Sequence, residues 1–525
     1  MNDLAQGNSP DTIVDALARA AQRYSSVTAV VDAEHSLTFE QLWISAKEVA
    51  RSLIAIGVQP GSRVAIWAPN SIRWIQCSFG VYCAGAILVP MNTRYTGTEA
   101  KYILQTADVD VLITVTDFLS TNYFDALENV DGLRGLSHRI CISGEPTHGS
   151  RSWTEFLTES HKVSDLELSQ TMASIDRGSV SDIIFTSGTT GAPKGAELRH
   201  HPSVQTYTDW SRLVGLQHGD RYFSIYPYFH TAGLKSVLLA CVLIGATVYP
   251  FPTFDVERVL ELVERERITM LPGPPTMFQA ILDHPTRSNF DLSSVRTSVT
   301  GAAVVPVELI RRMREELCIP SVVTAYGLTE TTGTVSVCSA NDPPEVIANT
   351  VGKPIPGLSV RIADEDGTPL PSGQSGEILV KGFNVMKGYF KNPVATADAI
   401  VNGWLHTGDV GHLDDEGNLH ITDRKKDMFI VGGFNAYPAE IEAELLRHPS
   451  VSQVAVVGLP DLRLGEVGAA FVILRPNEAI AESELLDWAH ARLAKFKLSL
   501  VHVVDSLPIG PSGKIQKFKL REQYG

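Results

Sequence analysis

Cysteine is scarce in this sequence. Six cysteines occur in 525 residues, and no two are spaced as Cys-x-x-Cys. This scatter excludes a disulfide framework and disfavours a zinc site built from paired thiolates. We therefore predict reduced, mostly buried thiols in a cytoplasmic protein at these positions: Cys77, Cys83, Cys141, Cys241, Cys318 and Cys338.

Long apolar runs are also missing. The longest one covers residues 237–251 and contains Gly245 and Pro250. It is shorter than a membrane span, so we predict a core helix that leads into a strand and no integral membrane association. The first residues lack a basic region followed by an apolar one, which predicts no signal peptide. Internal repeats and low-complexity segments are absent as well.

Positive charge is in deficit. Lys and Arg number 44 against 59 Asp and Glu, so the formal net charge is −15. This balance argues against nucleic acid and anionic membranes as partners. A protein of this charge that handles anionic substrates must place its cations locally, which makes individual Lys and Arg residues informative.

The chain alternates helical and strand patterns. Its length predicts two or more domains. Short β-rich apolar segments at residues 64–67, 87–90 and 109–113, with a helical stretch at 71–84, indicate βαβ units. A polar segment at 159–181 is expected to be partly loose. A second α/β region continues to about residue 350, and Gly- and Pro-rich strands at 351–389 predict a small β subdomain.

Five consecutive charged residues at 423–427 indicate that the chain comes to the surface there. Taken alone, they favour a solvated turn over a hinge between domains. An α+β module of about a hundred residues follows. Its predicted strands cover residues 454–457 and 470–473. A late helix is expected to bury one apolar face formed by Leu485, Leu486, Ala489, Leu493 and Phe496.

The most informative segment is the run TSGTTGAPKG at residues 186–195, which follows the apolar strand pattern at 183–185. Its glycines allow close backbone approach to a ligand, its hydroxyls offer hydrogen-bond donors, and Lys194 adds positive charge. Such a loop suits a polyphosphate, but it lacks the Gly-Lys-Ser/Thr step of a Walker A loop. A mobile surface loop is the alternative. The run resembles the phosphate-binding signature of adenylate-forming enzymes, which include acyl-CoA synthetases, amino-acid adenylation domains and firefly-type luciferases.

Further motifs resemble the same superfamily, in its order, over about residues 12–520. They are FHTAG at 229–233, GAA at 301–303, YGLTE at 326–330, GWLHTGD at 403–409, Arg424 with Lys426, GGFNAYP at 432–438 and PIGPSGK at 508–514.

The resemblance implies a role for each matching residue. Lys514, Glu330, Lys194 and His230 would be catalytic, Thr186 and Glu330 would hold Mg²⁺, and His230, Ala232, Gly233, Ser236 and Gly327 would contact the acid. ATP or AMP would contact Thr186, Ser187, Gly188, Thr189, Thr190, Gly191, Lys194, Gly301, Ala302, Ala325, Tyr326, Gly327, Thr329, Asp409, Arg424, Lys426 and Lys514. Among these, Gly301, Ala302 and Tyr326 would border adenine, and Asp409 would accept from the ribose hydroxyls. Coenzyme A would contact Gly432, Gly433 and Phe434.

The resemblance also implies the architecture. A large N-terminal AMP-binding domain, residues 1–425, would consist of two parallel α/β subdomains and a β subdomain. A small mobile α+β domain, residues 427–525, would turn about a hinge at Lys426.

The function implied is that of an ATP-dependent acyl-CoA synthetase, which forms acyl-CoA, AMP and pyrophosphate through an acyl-adenylate. Amino-acid-activating relatives carry Asp where this chain has Thr231, so an α-amino acid would meet no counter-charge. The segments at 271–276 and 431–435 resemble actinobacterial ligases of steroid degradation. The small residues Ala232 and Gly233, which follow His230, indicate room for a bulky or ringed acyl group. The expected acid is therefore medium-chain or ring-bearing, such as a steroid-derived propanoate.

Other functions remain open. The chain could load a carrier protein, act as a luciferase-like oxygenase, or bind nucleotide as a regulator without turnover. A homodimer is a further possibility. Lys497-Leu498-Ser499 and Lys517 depart from the sequence of many relatives and leave the orientation of the last loop open.

Overall fold

The computed structural model describes residues 10–128, 130, 135–186, 193–301, 305, 307–364, 366–424, 427–431, 434–476, 478–493, 495–509 and 515–525, with residues 423, 424, 434 and 435 described by their backbone alone.

The first α/β region is built around a seven-stranded sheet. Its strands and helices are β1 (Thr28–Asp32), β2 (His35–Thr38), β3 (Arg63–Trp67), β4 (Ile87–Pro90), β5 (Val109–Val115), β6 (His138–Ser143), β7 (Arg151–Ser152), β8 (Val180–Thr186) and β9 (Lys194–Arg199), with α1 (Ile13–Arg23), α2 (Phe39–Ala55), α3 (Ile72–Cys83), α4 (Gly97–Thr106), α5 (Tyr123–Glu128), α6 (Trp153–Thr158), α7 (Asp165–Ala173) and α8 (His200–Leu213). The strand order is β7-β6-β5-β3-β4-β8-β9, and every neighbouring pair is parallel except β8 and β9.

The apolar runs on β3 and β5 are buried because helices cover both faces of a parallel sheet. The predicted helix at 71–84 is confirmed as α3, whose N-cap Ser71 accepts a hydrogen bond from the Trp74 backbone N–H. The segment at 159–181, expected to be partly loose, contains more regular structure than that expectation implied. A 3₁₀ turn at Glu159–Lys162 and α7 occupy it, and Ser164 caps α7 by accepting from the Glu167 backbone N–H.

The second α/β region contains two groups of strands that Met270 connects. Its elements are β10 (Arg221–Ser224), β11 (Thr247–Pro250), β12 (Thr297–Gly301), β13 (Ser321–Tyr326), β14 (Ser336–Val337) and β15 (Lys353–Pro354), with a π-helix (Ala232–Leu239), α9 (Ala240–Ile244), α10 (Val256–Glu266), α11 (Pro275–Leu282), α12 (Val307–Glu315) and α13 (Pro344–Asn349). The orders are β10-β11-β1-β2 and β12-β13-β14-β15, and Met270 bridges Tyr222 to Thr297.

The apolar run at 237–251 is confirmed as a helical segment followed by a strand. It passes from the π-helix through α9 to β11, and Gly245 ends α9 in the left-handed conformation with φ of 79°. A β-carbon at this glycine would also lie 2.7 Å from the ring of Tyr24. No helix within the described ranges is both long and apolar enough to cross a membrane.

The β subdomain is a five-stranded antiparallel sheet that extends beyond the predicted limits of 351–389. Its elements are β16 (Leu358–Ala363), β17 (Gly376–Gly382), α14 (Pro393–Ala399), β18 (Ile400–Val401), β19 (Trp404–Leu413) and β20 (Leu419–Arg424). The order is β16-β17-β19-β18, with β20 paired to β19. The core of these three regions is continuous, so they form one large N-terminal domain as predicted.

The C-terminal module has its own apolar clusters. It comprises β21 (Phe429–Val431), β22 (Phe434–Ala436), α15 (Pro438–Leu445), β23 (Val451–Asp461), β24 (Gly465–Leu474), α16 (Glu482–His490), β25 (Leu500–Val503) and α17 (Lys517–Tyr524), with sheet order β22-β21-β24-β23 and β25 on β24. The late helix is shorter than expected. It ends at His490, and Leu493 and Phe496 pack onto the cluster from beyond its end. The hinge at Lys426 lies outside the described residues, so the domain boundary stays a prediction.

Candidate active site

The phosphate-loop sequence lies between two paired strands. β8 ends at Thr186 and β9 begins at Lys194, and these two residues are register partners in an antiparallel ladder. The Thr186 hydroxyl donates to the Lys194 carbonyl at 3.4 Å. Gly195 must be small, because a β-carbon there would lie 2.6 Å from Ile183. Five predicted residues of the loop lie outside the described ranges: Ser187, Gly188, Thr189, Thr190 and Gly191.

Glu330 is held beside this pair of strands by Tyr389. It lies in a 3₁₀ turn, Thr329–Thr331, and its Oε1 accepts a hydrogen bond of 2.9 Å from the Tyr389 phenol. Burial, followed by the nearby Glu330 charge, raises the pKa of Tyr389 well above its usual value, so the phenol remains a proton donor. The Lys194 ammonium lies 5.2 Å from the centre of the Tyr389 ring. Tyr389 therefore links the predicted metal ligand to the predicted phosphate cation.

Tyr389 did not emerge from sequence reasoning. Its position depends on backbone contacts between β9 and a distant segment: Ala196 bridges Tyr389, and the Phe390 N–H donates to the Gly195 carbonyl at 2.8 Å. The Met386 N–H also donates to the Glu330 carbonyl at 2.8 Å. A glycine followed by two aromatics at 388–390 was the available signal, but a glycine-aromatic step is common in loops.

The residues predicted to border adenine lie at the carboxyl ends of two adjacent parallel strands. Gly301 ends β12, Ala325 is its register partner on β13, and Tyr326 is the last residue of β13. Ligands of parallel sheets bind at this edge. A β-carbon on Gly301 would lie 3.3 Å from the Ala325 carbonyl oxygen, and one on Gly327 would lie 2.2 Å from that of Gly333. Ala302 is outside the described residues.

The predicted ribose ligand lies next to the predicted adenine residue. The Tyr326 phenol donates to Asp409 Oδ2 at 2.6 Å, and Asp409 is 3% exposed. Asp409 is also the register partner of Arg424 across β19 and β20. These contacts bring together three residues that are separated by up to 98 positions in the chain (326 to 424).

The segment predicted to border the acid lies at the start of the π-helix. His230 precedes it, and the His230 carbonyl accepts from the Leu234 N–H at 2.9 Å. Ala232 is the first residue of the π-helix, and the Ser236 hydroxyl donates to the Ala232 carbonyl. Gly233 is buried, and a β-carbon there would lie 2.2 Å from the Pro227 carbonyl oxygen. Gly233 is therefore small because of this backbone contact, so the argument for a roomy pocket depends on Ala232 alone.

The start of the π-helix contacts the loop that follows Glu330. Gly333 has a φ of 93°, and a β-carbon there would lie 2.5 Å from the Tyr207 hydroxyl and 2.8 Å from Thr231 Cβ. The Tyr207 hydroxyl donates to the Thr332 carbonyl at 3.1 Å. Neither Tyr207 nor Gly333 emerged from sequence reasoning, because their roles depend on this close packing.

Several residues predicted around the hinge and in the C-terminal domain, for adenylation and for CoA binding, cannot be placed. Lys514, Lys426, Gly432 and Gly433 lie outside the described ranges, as do the side chains of Arg424 and Phe434. The described residues on either side are paired: Val431 pairs with Phe434, and Ile509 bridges Ile515. Within the described part of the chain, no three His, Cys, Asp or Glu side chains cluster as a metal site.

Comparison with known proteins gives a consistent result along the chain. Residues 17–390 match the AMP-binding enzyme family, and residues 440–514 match the AMP-binding enzyme C-terminal domain. Two relatives are named as 3-[(3aS,4S,7aS)-7a-methyl-1,5-dioxo-octahydro-1H-inden-4-yl]propanoyl:CoA ligases, and each is 44% identical to this chain. The one from Rhodococcus jostii (strain RHA1) aligns over 98% of this chain and 99% of its own length. The one from Mycobacterium tuberculosis (strain ATCC 25618 / H37Rv) aligns over 97% of this chain and 98% of its own length. A crystal structure of the anthranilate CoA ligase AuaEII with anthranoyl-AMP is 28% identical, with a TM-score of 0.88 over 100% of this chain and 99% of that one.

The close packing at Gly333 is testable. We expect Gly333→Ala to lower the melting temperature more than Gly367→Ala, because both glycines have positive φ, at 93° and 80°, but only Gly333 would place its β-carbon against other atoms. The left-handed strain common to both should cost about 1 kcal/mol, and the collision at Gly333 should at least double that loss. Thermal melts of the two variants beside the unmodified protein measure the difference. Equal shifts would contradict the packing described for Tyr207 and Thr231.

Proposed function

Because the chain belongs to the AMP-binding enzyme family and is an ATP-dependent acyl-CoA synthetase, we propose that its acid is a ring-bearing propanoate like the one its 44% identical relatives are named for. The reaction joins the acid to CoA and converts ATP to AMP and pyrophosphate. Amino-acid activation is disfavoured, since Thr231 offers no charge to an ammonium group. The identity of the acid is the part of the function that is proposed from the residues of the site.

The observation that carries the proposal is the position of Ala232. It begins the π-helix next to Thr231, which lies against the loop after Glu330, and it is partly exposed where a larger side chain would take up space. A methyl group at this point leaves room for a bicyclic acid beside the carboxylate. Medium-chain acids would also enter, but a linear chain would bury less apolar area than a bicyclic ring system.

In the first step a carboxylate oxygen of the acid attacks the α-phosphorus of ATP, the bond to the bridging oxygen breaks, and pyrophosphate leaves. No general base is needed, because the nucleophile is already an anion. The difficulty is to bring two anions together and to stabilise charge on the phosphoryl oxygens. Lys194 and Lys514 supply positive charge, Asp409 accepts from the ribose hydroxyls, and Tyr326 lies against adenine.

Mg²⁺ fits the donor set that Glu330 and Thr186 offer. These two residues would hold the ion through one carboxylate and one hydroxyl oxygen, and phosphate oxygens and water would supply its other ligands, as is usual where Mg²⁺ binds a nucleotide. When bound, the ion neutralises phosphate charge. Tyr389 orients the Glu330 carboxylate toward this role by donating to one of its two oxygens.

In the second step the CoA thiolate attacks the acyl carbon, and AMP leaves with the electrons of the mixed anhydride bond. Lys514 must withdraw first, so we propose that the C-terminal domain, residues 427–525, turns about Lys426 and brings Gly432, Gly433 and Phe434 to the CoA channel. A cytoplasmic location and a homodimer remain parts of the same proposal.

A screen of carboxylic acids for pyrophosphate release, with and without CoA, tests the function. We expect the bicyclic propanoate to give the highest kcat/KM, with AMP and acyl-CoA formed in equal amounts. The second candidate is a ligase that loads a carrier protein. Accumulation of acyl-adenylate in the presence of CoA, followed by transfer to a phosphopantetheine carrier, would favour that candidate and contradict the proposal.

Ala232→Phe tests whether residue 232 faces the acid. The ring should exclude a bicyclic propanoate while sparing hexanoate, because overfilling a packed site costs about 1–3 kcal/mol, which is roughly one to two decades in specificity. The ratio of kcat/KM for the two acids measures this change. The KM for ATP should remain as it is, and Ala232→Gly, which adds no volume, serves as the control. An unchanged ratio would remove the main support for a bulky acid.

Tyr389→Phe tests the orientation of Glu330. Loss of the phenol hydroxyl should raise the Mg²⁺ concentration for half-maximal adenylation about tenfold, the lower end of the usual effect of removing a group that orients a metal ligand. The rate should recover at saturating Mg²⁺. The control is Tyr123→Phe, which removes another largely buried phenol, one that donates to the Thr93 carbonyl at 2.8 Å and not to Glu330. Identical Mg²⁺ dependence in the two variants would mean that Tyr389 serves packing alone.

A further inference from the structure

A fully buried ion pair joins the strand that enters the phosphate loop to the helix that borders the acid. Lys235 Nζ donates to Asp182 Oδ2 at 2.5 Å, and the two side chains are 1% and 0% exposed. Asp182 lies on β8, four residues before Thr186, whereas Lys235 lies in the π-helix, three residues after Ala232. Each partner therefore belongs to an element that is expected to hold a different substrate.

The Asp182 carboxylate accepts hydrogen bonds from three side chains. Besides Lys235, the Tyr82 phenol donates to Oδ1 at 2.5 Å and the Ser181 hydroxyl donates to Oδ2 at 2.6 Å. The Lys235 ammonium also lies 5.4 Å from the centre of the Tyr82 ring. Three donors satisfy the oxygens of the buried carboxylate and hold the ammonium in one place.

The neighbouring histidine adds no charge to this cluster. His200 packs edge-on against Tyr82, with ring centres 5.8 Å apart, and its Nδ1 accepts from the Ile13 N–H at 3.3 Å. Burial lowers the pKa of His200 to about 4, so the ring is neutral at physiological pH. Burial also lowers the pKa of Lys235, and the Asp182 carboxylate opposes this shift. Each charge of the pair therefore has the other as its counterion.

Stability alone gives little reason for such a pair. Replacing a buried ion pair by apolar residues of similar size is often neutral or stabilising, because desolvation of two charges offsets their attraction. What an ion pair does supply is a defined geometry between two elements. The first step of the reaction needs this geometry, since misplacing the reacting atoms by about 1 Å can cost roughly 100-fold in rate.

We propose that the Asp182–Lys235 ion pair is a positioning device for adenylation. It holds the start of the π-helix, where the acid binds, in register with the end of β8, where ATP binds. The inference rests on the two-step reaction proposed above. It predicts that the ion pair affects the rate of adenylation, in which acid and ATP are separate molecules. The pair should have little effect on the rate of thioester formation, because a covalent bond already joins the acyl group and AMP in the acyl-adenylate.

The experiment compares the two half-reactions in a double variant, Asp182→Asn with Lys235→Met. This variant removes both charges, keeps the side-chain sizes and leaves an oxygen to accept from Tyr82. We expect the kcat of pyrophosphate release to fall about 100-fold, while acyl-CoA formation from supplied acyl-adenylate stays within about threefold. The Kd of ATP alone should be unchanged. Any acid that the unmodified enzyme activates can be used, so an error about the ring-bearing acid does not affect the result.

The matched control is Asp220→Asn with Arg296→Met. Arg296 Nε donates to Asp220 Oδ1 at 2.9 Å, next to the first residue of β10, and this ion pair touches neither β8 nor the π-helix. Any loss it causes should be equal in both half-reactions. The same equal loss in the Asp182/Lys235 variant, or no loss in either half-reaction, would overturn the proposal and leave the pair a packing contact.

A milder variant, Tyr82→Phe, covers the case in which the double variant fails to fold. It removes one of the three donors to Asp182 and retains the ion pair. Adenylation should fall about fivefold and thioester formation should stay unchanged, an effect of the size expected for one hydrogen bond. Equal changes in the two half-reactions would again contradict a positioning role.

Discussion

Repulsion between a carboxylate and a polyphosphate is the constraint on which the organisation of this site depends. Two unit charges 4 Å apart interact by about 4 kcal/mol near a protein surface, and the net charge of −15 adds to the difficulty. The few cations that face the substrates must therefore be held at defined points. Lys194 is the one we propose: the β8–β9 ladder sets its backbone, and its ammonium lies over the Tyr389 ring, whose hydroxyl donates to Glu330.

Parallel strands make the convergence of the site geometrically simple. β8, β12 and β13 each have a predicted ligand-binding residue at the carboxyl end, and these ends lie where loops leave the sheets. Close approach at that edge requires small residues: Gly195, Gly301 and Gly327 would each bring a β-carbon within 3.3 Å of a neighbouring atom. The Asp182–Lys235 ion pair is a buried polar contact between β8 and the π-helix.

The sequence and the structure explain some residues differently. The sequence predicts that Gly233 leaves room for the acid, whereas the close approach of the Pro227 carbonyl explains the need for glycine there without any ligand. Tyr326 and Asp409 were assigned to different parts of ATP, and they share a hydrogen bond of 2.6 Å. Both cases have one cause. A motif shows which residue type occupies a position, but packing, hydrogen bonding and ligand binding can each favour that same residue type.

The sequence by itself determined the family, the order of α/β regions and most individual elements, because these depend on local patterns. Apolar runs indicated β3, β5 and β8, Ser71 indicated the start of α3, and the motifs around Thr186, Tyr326 and Asp409 indicated the chemistry. Only the tertiary structure decided which side chains meet. Tyr389 contacts Glu330 across 59 positions and Lys235 contacts Asp182 across 53, and such partners depend on the packing of whole elements rather than on local spacing.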